Sequence, residues 1–60
     1  MFINQVAWAK RREGGHWHHA IIELIMDGGA LVMVSWPNHD WPDTILPPHM
    51  IKEEADRAAG

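Results

Sequence analysis

Four tryptophans in 60 residues, Trp8, Trp17, Trp36 and Trp41, are the side chains of this sequence best suited to binding something. One phenylalanine and no tyrosine accompany them, and a core this small does not hide four indoles completely. Exposed rings of this kind dominate binding hot spots. The competing reading has Trp8 and Trp36 plugging one end of the core, while Trp36-Pro37 and Trp41-Pro42 pack a loop. The run His16-Trp17-His18-His19 is the next candidate. On a strand, His16 and His18 share a face about 6.5–7 Å apart along the chain, a spacing that suits a shared zinc or nickel ion. His39 and Asp40 would have to supply further ligands from a loop, and no cysteine helps. The alternative is solvated strand-end histidines, with His18 stacked in a pocket. Lys10-Arg11-Arg12 suits phosphates or is a solvated basic loop. His39 with Asp40 and Asp43 has the residue types for acid–base chemistry, yet no obvious cleft, no nucleophile in a known setting and no glycine-rich phosphate cradle accompanies it. Ser35 and Thr44 are the only hydroxyls. The chain is therefore read as non-enzymatic, with no catalytic residue and no cofactor.

Sixty residues make at most one domain, and a chain of this length buries only about 60% of its unfolded surface. A hydrophobic content of 47% excludes a disordered tail as the main reading. The absence of cysteine removes disulfides and thiolate metal sites as sources of stability. No apolar run approaches the roughly 20 residues that span a bilayer, and Met1-Phe2-Ile3 passes directly into Asn4-Gln5 without a signal-peptide pattern. The expectation is a soluble protein of the cytoplasm, or of the nucleus if the source is eukaryotic, with no membrane partner. Net charge is −3, from eight acids against five bases, with five histidines that can add positive charge below about pH 6.5. That balance disfavours nucleic acid as a partner, although the Lys10–Arg12 run keeps it open.

The elements that must position these residues are strands. Residues 17–36 read as a hairpin, two apolar runs around Asp27-Gly28-Gly29, because a type I′ turn needs positive φ at both central positions. Within residues 16–26, period two places His16, His18, Ala20, Ile22, Leu24 and Met26 on one face, the expected core face, and Trp17, His19, Ile21, Glu23 and Ile25 on the other. Residues 30–36 are apolar on both faces until Ser35, as in a central strand. Residues 3–10 alternate loosely as a first strand, Ile3, Gln5, Ala7 and Ala9 opposing Asn4, Val6, Trp8 and Lys10. Arg11 to Gly15 is a loop, residues 36–43 are a Pro- and Asp-rich loop, and Thr44-Ile45-Leu46 is a short strand stopped by Pro47-Pro48. Residues 49–59 read as a helical tail, with Ile51, Ala55 and Ala58 in helical spacing and Lys52–Asp56 and Glu53–Arg57 as i,i+4 pairs. The division is a β-barrel domain over residues 1–51 and a helical or frayed tail over 52–60.

Hairpin, central strand, polar loop, short strand and final turn is the order of a small antiparallel SH3-like barrel of four to five strands. Within that class the chain resembles the Tudor domain over residues 5–51. The resemblance rests on Val6-Ala7-Trp8, Gly15-His16-Trp17-His18-His19-Ala20-Ile21-Ile22, Asp27-Gly28, Met33-Val34-Ser35-Trp36-Pro37-Asn38, Ile45-Leu46-Pro47 and Met50 or Ile51. Only the order and spacing of these pieces are informative. The resemblance implies an aromatic cage for methylated lysine or arginine, held by cation–π attraction. Trp8 and Trp36 fall on cage positions and Asn38 on the polar one. His18 and Met33 stand where the family has rings, Pro37 replaces a glycine, and Trp41 lies in a longer loop from which it can refill the cage. The expected function is a protein-interaction module binding a peptide or protein segment, including one with a cationic or methylated side chain, at Trp8, His18, Met33, Trp36, Asn38 and Trp41. The alternatives are a nucleic-acid accessory protein using Lys10, Arg11 and Arg12, and a small structural protein of the phage or bacterial kind whose tryptophans form a homo-oligomer interface.

Overall fold

Gly28 and Gly29 take φ of 66° and 100°, and the Ala30 N–H donates to the Asp27 carbonyl at 3.1 Å. Positive φ at both central positions is what the hairpin turn demands, and glycine meets it without a Cβ penalty. The turn joins β2 (His18–Met26) to β3 (Leu31–Ser35), which pair antiparallel. In the computed structural model, which describes residues 1–53, three further strands extend this hairpin. They are β1 (Val6–Ala9), β4 (Thr44–Leu46) and β5 (Ile51–Glu53). All pairings are antiparallel, in the order β4-β3-β2-β1-β5. The fold is thus mostly β, and among the described residues no helix is long and apolar enough to cross a membrane.

One face of the sheet encloses the core. Ala7 and Ala9 from β1, Ala20 and Ile22 from β2, and Val32 and Val34 from β3 are fully buried. Trp36, Leu46, Met50 and Ile51 complete the cluster. Leu46 lies on one edge strand and Ile51 on the other, so the sheet curls until both edges reach the same core. Beta-branched residues on β2 and β3 and alanines on β1 suit this tight curvature.

Three expectations are corrected. The sheet is not closed into a barrel, since β4 and β5 are both edges and share no ladder. The helical tail does not begin at residue 49. Pro48–Met50 form a single 3-10 turn and Ile51–Glu53 pair with β1, Ala9 opposite Ile51 and Trp8 opposite Lys52. Burial of Ile51 and three backbone pairings outweigh two surface ion pairs worth a few tenths of a kcal/mol each. The remainder of that expectation, residues 54–60, lies outside the described residues. Finally, the core face of β2 does not run through Leu24. The register shifts between Ile22 and Leu24, a bulge that moves every later side chain to the other face. Leu24 is consequently 46% exposed, while Ile25 packs against the core. On the β1 side of β2 the opening residues continue the pairing, the Ile22 N–H donating to the Gln5 carbonyl at 2.9 Å and the Asn4 N–H to the Ile22 carbonyl at 2.7 Å.

Candidate ligand-binding site

The loop after β1, the start of β2 and the loop after β3 meet at one end of the sheet. In the first loop the Gly15 N–H closes a turn on the Arg12 carbonyl at 3.1 Å, with Gly14 at φ 74°. In the third, the His39 N–H donates to the Trp36 carbonyl at 3.1 Å, a turn whose corner is Pro37-Asn38. These turns bring six side chains together. His39 stacks on Trp41 with centroids 3.7 Å apart and planes 5° apart. Trp41 meets Trp36 edge-on at 5.6 Å. The His18 ring stands nearly perpendicular to those of Trp41, His39 and Trp36, with centroids 5.0, 5.3 and 6.2 Å away respectively. The Arg11 guanidinium lies 4.2 Å from the centre of the Trp41 ring. Trp36 is the anchor. It is buried, and its indole N–H donates to the Thr44 Oγ1, which in turn donates to the Pro42 carbonyl, both at 3.0 Å.

Beside Trp41 opens a cleft of about 470 Å³ lined by Arg11, Arg12, His16, His18, Trp41 and Thr44, with the backbone of Gly15. Among the described residues no carboxylate lines it. The nearest acid in sequence, Glu13, is held by the His49 imidazole on the turn before β5. Burial holds the His18 pKa below its ordinary value, and the nearby His39, His16 and Arg11 act in the same direction.

Of the residues assigned from sequence, the structure brings His18, Trp36 and Trp41 together and adds Arg11 and His39. It does not bring in Trp8, which stands on the opposite face of β1 from Ala7 and Ala9 and stacks on His19 at 4.0 Å. Nor does it bring in Met33, which alternates with buried Val32 and Val34 and pairs with Leu24 and Ile45 on the outer face. Asn38 is exposed at the loop corner. Among the described residues no group of three His, Asp or Glu side chains is placed to hold a metal ion; His16 and His18 line the cleft and His39 stacks on Trp41. Trp17, one of the four tryptophans but outside the expected binding set, has the ammonium groups of Lys10 and Lys52 each 4.7 Å from its ring centre. Period-two parity places Trp17 and Lys10 on the same outer face, but Lys52 was hidden by its assignment to a helix. Comparison with protein-family models, with curated proteins and with solved structures finds no match to this chain.

Proposed function

We propose that this chain is a small non-enzymatic binding module, SH3-like and Tudor-like in plan, that holds a protein or peptide segment at the loop end built on Trp36 and Trp41. Trp41 carries the reading. It is a half-exposed indole in a loop, ordered by His39, His18, Trp36 and Arg11, and it opens on the cleft. An ordered, partly exposed tryptophan offers a large contact area at small entropic cost, as binding hot spots do. The SH3-like plan is supported by the strand order and by the two edge strands converging on one core.

Trp41 is the residue to test. Trp36 is core, and its truncation would cost about 3–5 kcal/mol of a stability expected to be only ~3–9 kcal/mol for this length. A displayed random-peptide library should yield a common motif on the wild-type chain and lose it on Trp41→Ala, with the variant still folded by circular dichroism. A wild-type chain that enriches no motif would overturn the reading.

A further inference from the structure

We propose that the segment is anchored through an anionic side chain, a carboxylate or a phosphorylated hydroxyl, bound in the cleft by Arg11 and Arg12. This deepens the binding-module reading and rests on it. Arg11, Arg12, His16 and His18 line the cleft, and among the described residues no acid does. Among the described residues no acid pairs with either arginine, and Glu13, the acid next to Arg12 in sequence, is engaged by His49. Two arginines line one cleft with no counter-charge among the described residues, and an incoming anion supplies it. Arg11 is also preset for the task. Contact with the Trp41 ring, 4.2 Å from its centre, limits the freedom of a guanidinium whose planar fork matches carboxylate and phosphate oxygens.

The same geometry argues against a cationic or methylated side chain. The guanidinium of Arg11 already sits over the Trp41 ring, where a cage would place its ligand's cation. It also argues for protein over single-stranded nucleic acid. A base needs an open ring face to stack on, and the Trp41 ring is in contact with Arg11 and His39, whereas a peptide can use the exposed remainder of the indole together with Arg11. The chain's net charge of −3 repels a polyanion at long range, whereas one anionic group in a cleft feels mainly the two nearby arginines.

The test uses the full chain and fluorescence anisotropy at about 50 mM salt, where phosphate contacts are strongest. The probes are labelled nonapeptide pools, degenerate except for a central glutamate, phosphoserine, alanine or trimethyl-lysine, together with an oligothymidylate. The glutamate or phosphoserine pool should bind roughly ten- to hundredfold tighter than the alanine pool, the range of a charge-assisted pair. The exposed double variant Arg11→Ala/Arg12→Ala should erase that preference while remaining folded. The ratio between the two acidic pools separates carboxylate from phosphate, and equal binding supports the shared chemistry. An alanine or trimethyl-lysine pool that binds as well, or a preference that survives the double variant, overturns the proposal. If such binding is still lost in Trp41→Ala, the module reading stands without it. An oligothymidylate that outbinds every pool replaces both with nucleic-acid recognition, and binding by no probe removes both.

Discussion

His18 is placed where a charge of its own is unwelcome. Its ring is partly buried against Trp36 and Trp41 and shares its surroundings with His39, His16 and Arg11. The folded chain therefore holds this proton less tightly than the unfolded chain, whose value is near 6.5. The stabilisation this represents is present above pH 6.5 and is lost as pH falls through 6.5 toward the lower folded value. Thermal melts between about pH 7.5 and pH 5 should show the midpoint falling, with a shallower fall in His18→Gln. Equal slopes in the two proteins would contradict this account. At the same scale, Trp8 shows what was legible. Alternation in β1 sets it opposite Ala7 and Ala9, and there it is found. The family resemblance groups it with Trp36 instead, and in this chain the local alternation is the better guide. The contacts of Arg11 and His39 with Trp41 were not legible, because they join loops whose meeting depends on the whole sheet.

Among the elements, those specified by local chemistry were readable. The Asp27-Gly28-Gly29 turn, the stop at Pro47-Pro48 and the strand Thr44–Leu46 each follow from residues within a few positions. The bulge in β2 does not, since it lies in the pairing with β3 and no residue type at positions 22–24 marks it. The β5 strand was missed for a related reason: its partner is β1, and its own charge spacing also suits a helix. The turn offers a direct check. A Cβ on Gly28 would meet nothing within 4 Å, so any cost of Gly28→Ala is conformational and arises from φ 66°. Urea unfolding should show a loss of about 1 kcal/mol for Gly28→Ala and less for Gly28→Asn, whose short amide tolerates the left-handed region. A neutral Gly28→Ala would mean that the turn relaxes to another form.

For the whole molecule, the core draws on all five strands and on Met50 and Trp36 between them. No single hairpin is self-sufficient, and two-stranded pieces are marginal in water. Unfolding should therefore be a single cooperative event. The pairing of Asn4 and Gln5 with Ile22 has a kinetic side. Beside the bulge, both backbone polar groups of Ile22 are bonded to Asn4 and Gln5. The chain's beginning thus acts as a latch on the middle of its longest strand. In deuterium exchange the Ile22 amide should be among the last to be replaced, at the rate of global opening. Fast exchange there would mean that the latch opens on its own.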